Sequence, residues 1–333
     1  MNNIKLSICI PTYNRAEFLP DALESILKQV TPKIKDKIEI CVSDNDSSDN
    51  TEELIKSYQN KNICNINYHK NQENIGADRN YLKAVEIANG EYCWWLGSDD
   101  QLIDHSINKI LNEIDSNNND IYLFNREEYS FDLKNKTGES NWFNLSVDTE
   151  FNFNEIKVSE YLKYVNELGG IFSFISAVVF KKENWDNIKE KNKFVGTFYS
   201  HTYILANILI QKHKLKIIIQ PQVICRINSS ENTFGGMLGD YGRLYIDYFN
   251  IIIFIDIFGM DSLEVYFVKK ILLKQRNLKT LLANSLLVNE EENNKLLLLL
   301  NNLGYKKEYL ILKFFPKKLL PVIKKIYIIL KKS

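Results

Sequence analysis

The chain has 333 residues, enough for one large α/β domain with an appendage or for two modest domains. Its 45% hydrophobic and 25% charged residues are ordinary for a globular protein, and equal totals of 42 basic and 42 acidic residues give no reason to expect a nucleic-acid binder. The five scattered cysteines form no CxxC pair, so we expect reduced thiols, not a disulfide framework or a zinc site. The amino-terminal residues contain no long apolar signal and lead directly into a predicted strand, which favours a cytoplasmic protein.

Strand and helix signals alternate through the first 125 residues. We predict strands at residues 6–10, 38–42, 63–68, 92–96 and 121–124, and helices at residues 16–28, 51–58, 76–88 and 104–114. Strands separated by helices favour right-handed crossovers and a Rossmann-like, mostly parallel central sheet flanked by helices. Ligands of such sheets bind beyond the carboxyl ends of the strands.

Beyond residue 125 the periodic signals weaken and then become helical. Residues 129–154 are polar and aromatic without clear periodicity, so we predict an irregular loop there. A strand at 176–180, an amphipathic helix at 198–211, a short strand at 216–219 and helical runs at 238–258, 262–282 and 290–303 are predicted next. The apolar stretch 251–257 is too short to span a bilayer and is expected to be a buried helix.

An acidic pair, Asp99-Asp100, follows the predicted strand at 92–96. Hard divalent cations prefer carboxylate oxygens and complete their coordination with phosphates and water. Two adjacent carboxylates at a strand end therefore suit a site in which one binds a metal and the other a sugar hydroxyl. Alternatively, the pair is simply a helix N-cap before the helix at 104–114.

Three more polar clusters follow the first three predicted strands. Residues 11–15 (PTYNR) offer backbone amides and an arginine to a diphosphate. Residues 44–51 begin with Asp44, which could accept from a pyrimidine N–H, while Ser48 or Asp49 could cap the next helix. Residues 74–80 (NIGADRN) open the third helix. Each cluster alone is typical of a turn or a cap, but their occurrence at successive strand–helix junctions predicts a binding site.

The segments ICIPTYNR, ICVSDNDSSDNT, NIGADRNYLKA and WWLGSDD occur in this order within residues 4–125. This region resembles the nucleotide-binding half of the inverting family 2 glycosyltransferases of the GT-A fold, and within them the O-antigen deoxysugar branch that includes abequosyltransferases. The resemblance implies a nucleotide-sugar donor and Mn²⁺ or Mg²⁺. Ser98 stands where many relatives have a first Asp, which makes this a variant of the D-x-D motif. The residues that the resemblance places around the donor are Pro11, Thr12, Tyr13 and Arg15 at the base and diphosphate, Asp44 at the base, Arg79 near the phosphates, Ser98 and Asp99 at the ribose or sugar, and Asp100 at the metal.

Inverting transfer also needs a base for the acceptor hydroxyl. Relatives commonly present an Asp at the start of a helix in the second half, but the corresponding residues 196–203 (GTFYSHTY) contain no carboxylate. His201 is the natural substitute because imidazole titrates near neutrality, and the alternative is a histidine on the polar edge of an amphipathic helix. Glu183 and Asp186 nearby are interpreted as surface groups. Arg226, in the loop 225–232, is predicted to contact the diphosphate, with the glycines at 235–236 allowing the loop to close over the donor and open again. The alternative is a loop that simply lies in solvent.

Lysine doublets recur every seven residues at 317–318, 324–325 and 331–332, with apolar residues between them. On a helix this spacing produces a basic stripe beside a wide apolar face, which is typical of a helix on an anionic membrane surface. The alternative is a terminal helix that packs on the body with solvated lysines.

These observations predict a nucleotide-sugar-binding half at residues 1–128, an acceptor-side half at 129–232, a helical region at 233–304 and a membrane-associating tail at 305–333. The predicted function is transfer of a sugar to a growing, lipid-linked surface glycan on the inner face of the cell membrane, with oligomerisation left open. Two alternatives are a nucleotidyltransferase, which would need a Gly-rich basic loop that PTYNR does not provide, and an inactive glycan-binding homologue.

Overall fold

The computed structural model describes residues 4–227, 246–276 and 290–314. Within these ranges ten strands form one sheet: β1 Leu6–Thr12, β2 Ile38–Asp44, β3 Asn65–Lys70, β4 Tyr92–Trp95, β5 Gln101–Leu102, β6 Ile121–Tyr129, β7 Lys136–Glu139, β8 Thr149–Asn152, β9 Val178–Lys181 and β10 Lys214–Arg226. The helices are α1 Leu19–Leu27, α2 Thr51–Asn60, α3 Ala77–Glu86, α4 Ser106–Asn117, α5 Val158–Leu162, α6 Lys182–Asp186, α7 Ser200–Ile210, α8 Phe249–Phe258, α9 Leu263–Gln275, α10 Glu290–Asn302 and α11 Lys306–Phe314.

The strand order is β3-β2-β1-β4-β9-β6-β10-β5, with β7 paired to β6 and β8 paired to β10. Strands β3, β2, β1 and β4 are mutually parallel, and antiparallel pairing enters at β9. Every residue of β1, β2 and β4 is buried, as expected for parallel strands that are covered on both faces. The predicted α/β fold class is thus confirmed.

The carboxyl ends of the parallel strands lie at one edge of the sheet. Thr12 at the end of β1 pairs with Asp44 at the end of β2, and Asp44 pairs with Lys70 at the end of β3. Beyond β4, the amide of Leu96 donates to the carbonyl of Cys9 at 3.0 Å, so the loop that follows β4 starts beside β1. The predicted polar clusters therefore meet at this edge.

The prediction of a loop at 129–154 is correct only in part, because this irregular segment also contains two short strands. Strand β6 continues to Tyr129 and pairs with β7, and β8 pairs antiparallel with β10. Strands β7 and β8 are short and polar, so the sequence shows little alternation of apolar and polar residues there. They form because they pair with the longer strands β6 and β10. The strand predicted at 216–219 is also longer: β10 has 13 residues and passes through Pro221 at a register shift between Ile218 and Val223, where a missing N–H is tolerated.

Helix α7 is buried almost all round, so it is not the amphipathic helix that was predicted. Helix α8 packs against α7, and α9 packs against α8 and α5, which explains why α7 has no solvent-exposed face. The predicted burial of residues 251–257 is confirmed in part, because Ile251, Ile253 and Phe254 are buried in α8.

The carboxyl-terminal helices are tied to the body by side-chain contacts. The Tyr199 hydroxyl donates to Asp247 at 2.7 Å, and Arg276 pairs with the same carboxylate. The Tyr305 hydroxyl donates to the carbonyl of Lys269 at 3.0 Å. None of the helices in the described ranges has the length and apolar content needed to cross a membrane.

The predicted lysine doublets and glycines 235–236 lie outside the described residues. The boundary predicted at 128/129 falls at the end of β6, inside a sheet that both halves share. The division into four regions stays a prediction.

Candidate active site

The loop after β4 carries the acidic pair. Asp100 is only 7% exposed, and its amide closes a tight turn on the carbonyl of Gly97 at 3.0 Å. Its Oδ2 accepts a 2.5 Å hydrogen bond from the Ser176 hydroxyl, which in turn accepts from the amide of Gly97 at 2.8 Å. Burial, followed by the charge of neighbouring Asp99, raises the pKa of Asp100 to about 8, although the Ser176 hydrogen bond and nearby arginines oppose the shift.

Ser98 is buried and Asp99 is half-buried in the same loop. The backbone carbonyl of Asp99 accepts from Nε of Arg226 at 3.1 Å. This places Arg226, from the end of β10, directly beside the acidic pair.

Arg226 is held by the protein on several sides. Its guanidinium pairs with the Asp21 carboxylate on α1 and donates to the carbonyl of Phe131 at 2.7 Å. Its side chain is only 6% exposed and lies 5.2 Å from the Phe18 ring. The prediction of a solvent loop at Arg226 is therefore wrong, and the predicted diphosphate contact is untested, although these partners already engage its guanidinium.

The Phe18 ring also connects Arg226 to the loop after β1. Arg15 is half-buried, with its guanidinium carbon 5.6 Å from the centre of the same ring. Two predicted site arginines, Arg15 and Arg226, thus share one aromatic ring beside the loop that carries Asp99.

The loops after β1 and β2 are joined by several hydrogen bonds. The Asn14 amide donates to the Ser47 hydroxyl, the Ser48 amide to Asn14 Oδ1 and the Ala16 amide to Asp49 Oδ2, each at 2.9 Å. Asn14 adopts a left-handed φ of 50°, which asparagine tolerates well. Asp49 also accepts from the amide and hydroxyl of Thr51, the first residue of α2. The N-cap position is Asn50, however, so the prediction that Ser48 or Asp49 is the N-cap is wrong.

The other residues predicted to bind the nucleotide sugar at the end of β1 and just after it differ in exposure. Pro11 and Thr12 are buried, whereas Tyr13 is 41% exposed at the tip of the loop. The hydroxyl of Thr12 has no hydrogen-bond partner among the described residues, which is unusual for a buried polar atom.

Asp44 is fully buried, and both of its oxygens are engaged by the protein. Oδ1 accepts from the amide of Ser47 at 2.9 Å, and Oδ2 accepts from the hydroxyl of Tyr68 at 2.6 Å. Contact with a nucleotide base would therefore require Asp44 to share an oxygen or to exchange a partner.

Arg79 lies apart from these contacts. It is exposed on α3 and lines an open cleft of about 840 Å³ together with residues 69–73, the outer face of α3 and Asn192. The cleft includes none of the other predicted site residues.

His201 is in the core of the molecule. The ring is 1% exposed and contacts the rings of Tyr81, Trp95 and Tyr199. Its Nε2 donates to the carbonyl of Phe172 at 2.9 Å, since a carbonyl can only accept, and Nδ1 is buried without a partner among the described residues. Burial lowers the pKa of His201 to about 4. The predicted base therefore has no path to an acceptor hydroxyl in this conformation.

Sequence reasoning missed Asp78, Arg126 and Ser176. Asp78, within the NIGADRN segment, is buried and receives hydrogen bonds from residues 196–200, just before His201. Arg126 on β6 lies 4.4 Å from the Phe174 ring and helps to lower the pKa of Asp100. Of these three, only Asp78 could have been found from the sequence, because it lies next to Arg79 in the NIGADRN motif.

The metal-binding capacity of the site rests on the acidic pair. Within the described ranges there is no cluster of three or more His, Cys, Asp or Glu side chains that could hold a metal. Two carboxylates still suit a cation that takes its other ligands from a diphosphate and water.

Comparison with known proteins identifies the family. The profile described as Glycosyl transferase family 2 matches residues 7–182. Abequosyltransferase RfbV of Salmonella typhimurium is 38% identical over 245 residues, which are 73% of this chain and 72% of that protein. The GalNAc(5)-diNAcBac-PP-undecaprenol beta-1,3-glucosyltransferase of Campylobacter jejuni is 27% identical over 242 residues, 71% of each chain.

The fold has a solved counterpart. The crystal structure of Staphylococcus aureus TarS 1–349 in complex with UDP-GlcNAc superposes with a TM-score of 0.63 over 90% of this chain and 80% of that one. At 16% identity this similarity establishes the GT-A fold alone. From the matched profile and the extent of the abequosyltransferase similarity, the chain belongs to glycosyltransferase family 2.

Proposed function

We propose that this glycosyltransferase transfers a hexose or deoxyhexose, with inversion and with the aid of Mn²⁺ or Mg²⁺, from a nucleoside diphosphate to a growing surface glycan on a polyprenyl diphosphate. The observation that carries the proposal is the buried Asp100 carboxylate, braced beside Asp99 at the carboxyl end of β4. The abequosyltransferase relative supports a deoxyhexose donor, and the undecaprenol-linked substrate in the Campylobacter relative's name supports a lipid-linked acceptor.

Asp100 has the properties expected of a single carboxylate ligand. Its charge is disfavoured by burial and by Asp99, so a nearby divalent cation would favour the ionised form. One or two carboxylates plus substrate phosphates are the usual ligand set for Mg²⁺ in such sites. When bound, the cation would supply neutralisation of the charge that develops on the departing nucleoside diphosphate.

The donor would lie across the loops after β1, β2 and β4. Tyr13 is exposed and suits stacking on a base, while Arg15 and the amides of its loop suit the diphosphate. Pro11, Thr12 and Asp44 would form the buried floor of this site, with Ser98 and Asp99 next to the sugar. Arg226 would act by holding the carbonyl of Asp99, and Arg79 would contribute from the outer margin.

The acceptor hydroxyl must lose its proton in this reaction. His201 as the base has no support from its geometry, because the ring is enclosed by aromatic side chains and bonded to Phe172. We propose instead that His201 is a packing residue in the first turn of α7.

Attachment to the inner face of the membrane is proposed for the carboxyl-terminal segment. Helix α11 exposes Leu310 and Phe314 beside Lys306, Lys307 and Lys313 on one face, a pattern that suits an anionic bilayer surface. The lysine doublets at 317–332 continue this composition in sequence. Co-sedimentation with vesicles of neutral and of anionic phospholipid would test it, and equal binding to both would argue against the proposal.

A donor screen tests the central proposal. UDP-, GDP-, CDP- and dTDP-sugars are each added with Mn²⁺, with Mg²⁺ or with EDTA, and the melting temperature is measured. We expect one nucleotide class to stabilise the protein only when metal is present, and Asp100→Asn to lose this response. If no donor shifts the melting temperature with either metal, the proposal fails.

A further inference from the structure

We propose that Ser176 is a positioning residue that fixes the Asp100 carboxylate in the orientation required for metal binding. The inference rests on the proposed role of Asp100 and concerns a residue from the other half of the sheet. Ser176 lies 76 residues from Asp100 in the chain, in a 3₁₀ turn at Ile175–Ala177 just before β9.

Three hydrogen bonds connect Ser176 to β4 and the loop that follows it. The hydroxyl donates to Oδ2 of Asp100 at 2.5 Å and accepts from the amide of Gly97 at 2.8 Å. The carbonyl of Ser176 accepts from the indole N–H of Trp94 at 2.8 Å. Ser176 itself is fully buried, so water does not compete for these bonds.

The hydroxyl has a single proton, and donating it to Oδ2 decides which oxygen of Asp100 remains for a cation. Oδ2 also lies close to Gly97, since a β-carbon added at that position would be only 2.7 Å from it. Oδ2 is therefore held by a hydrogen bond and by close packing, and Oδ1 is the oxygen that we assign to the metal. Outer-shell partners of this kind fix ligand orientation, and their loss typically weakens metal affinity 10- to 100-fold.

The chain contains a matched control at the opposite edge of the sheet. Ser7 is also fully buried, accepts from the amide of Gly90 at 2.8 Å and donates to Oε1 of Glu39 at 2.7 Å. The glycine–serine–carboxylate arrangement is the same as at Ser176. Ser7 and Glu39 lie at the amino ends of β1 and β2, however, away from the site. Ser7→Ala therefore removes equivalent hydrogen bonds without touching Asp100.

The experiment measures Mn²⁺ binding directly. Free Mn²⁺ is followed by electron paramagnetic resonance while the metal is titrated into wild type, Ser176→Ala and Ser7→Ala, each saturated in turn with UDP, GDP, CDP or dTDP. We expect Ser176→Ala to raise the Mn²⁺ dissociation constant about 10- to 100-fold. Ser7→Ala should stay within about twofold of wild type. Thermal unfolding in EDTA establishes whether both variants are folded. If Ser176→Ala does not fold, Ser176→Cys replaces it, because the thiol is of similar size and is a weaker hydrogen-bond donor.

The outcomes separate the two proposals. Weak or absent Mn²⁺ binding by the wild-type protein would overturn the metal dependence itself. Normal binding by the wild type together with unchanged affinity in Ser176→Ala would overturn only the role of Ser176. Equal losses in Ser176→Ala and Ser7→Ala would also overturn it, since a general loss of packing would then explain the result.

Discussion

The Asp78 carboxylate accepts two hydrogen bonds from Ser200, one from its amide at 3.2 Å and one from its hydroxyl at 2.8 Å. Its other oxygen accepts from the amides of Gly196 and Phe198, each at 2.8 Å. Gly196 and Phe198 both have left-handed φ angles, 92° and 64°. A carboxylate on α3 thus holds the strained segment 196–198 in place and accepts a hydrogen bond from a free amide in the first turn of α7.

We expect Asp78→Asn to destabilise the protein by about 1.5–3 kcal/mol, because hydrogen bonds to a charged group contribute this much and the new amide would present N–H groups to other donors. Asp78 is only 3% exposed, so water cannot replace the lost oxygen. Urea denaturation followed by circular dichroism measures the change. Asp36→Asn, on an exposed aspartate, is the control, and equal stabilities of the two variants would contradict this account.

Asp78 also shows what the sequence could not reveal. Residues 196–203 contain no carboxylate of their own, and the one that contacts them comes from a helix 118 to 122 residues earlier. Local patterns identify turns and caps, but a contact over that distance exists only in the folded chain. The same reasoning applies to Ser176, because no pattern in the sequence indicates its hydrogen bond to Asp100.

His201 makes the stability of the protein dependent on pH. Its pKa is lowered to about 4 in the folded protein, against about 6.5 in the unfolded chain, so only the unfolded state takes up a proton between these values. Stability from this residue is complete above pH 6.5 and is lost as the pH falls towards 4, by up to about 3 kcal/mol. We expect His201→Gln to show a smaller loss between pH 7 and pH 5 when unfolding is measured in urea.

Turnover distinguishes packing from catalysis at the same residue. A general base contributes about 10²- to 10⁴-fold to rate, whereas a buried packing residue changes the rate mainly through stability. We therefore expect His201→Gln to retain donor binding and to lower kcat by less than about tenfold. A loss of a hundredfold or more in a folded variant that binds donor normally would restore His201 as the base.

The parts of the fold that were predicted correctly have strong local signals. Strands β1, β2 and β4 are mostly apolar runs followed by polar clusters, and those clusters meet at one edge because parallel strands align their ends. By contrast, β8 and much of β10 are defined by their pairing partners. The burial of Arg226 and Asp44 was equally hidden, since their partners Asp21 and Tyr68 are separate in sequence.

Gly97→Ala is expected to disturb the acidic loop without unfolding the protein. Gly97 does not need a left-handed φ, but an added β-carbon would lie 2.7 Å from Oδ2 of Asp100, which must then move. We expect the apparent affinity for the donor, measured from its metal-dependent stabilisation of the protein, to fall at least tenfold. A loss of this size is typical when an outer-shell partner of a metal ligand is removed. Gly138→Ala is the control, because its nearest neighbour would be 3.6 Å away. Unchanged donor binding in Gly97→Ala would mean that the position of Asp100 is not critical.

Asp100 gives the metal-free protein a pH dependence opposite in sign to that of His201. Its pKa is raised to about 8 in the folded state, against about 3.9 in an unfolded chain. Between these values the unfolded state releases a proton that the folded state keeps. Stability from this residue is therefore complete below pH 4 and declines as the pH rises towards 8.

Asp100→Asn removes this penalty, because the amide is neutral at every pH. In EDTA, we expect the variant to gain stability relative to wild type between pH 5 and pH 8, by more than about 1 kcal/mol, since each unit of pKa difference corresponds to about 1.4 kcal/mol. Asp99→Asn should reduce the trend in part, because the charge of Asp99 contributes to the raised pKa. A stability difference that stays constant across this range would show that Asp100 is already ionised without a metal. Its burial would then be compensated by Arg126, Arg226 and Ser176, and the cation would not be needed to stabilise its charge.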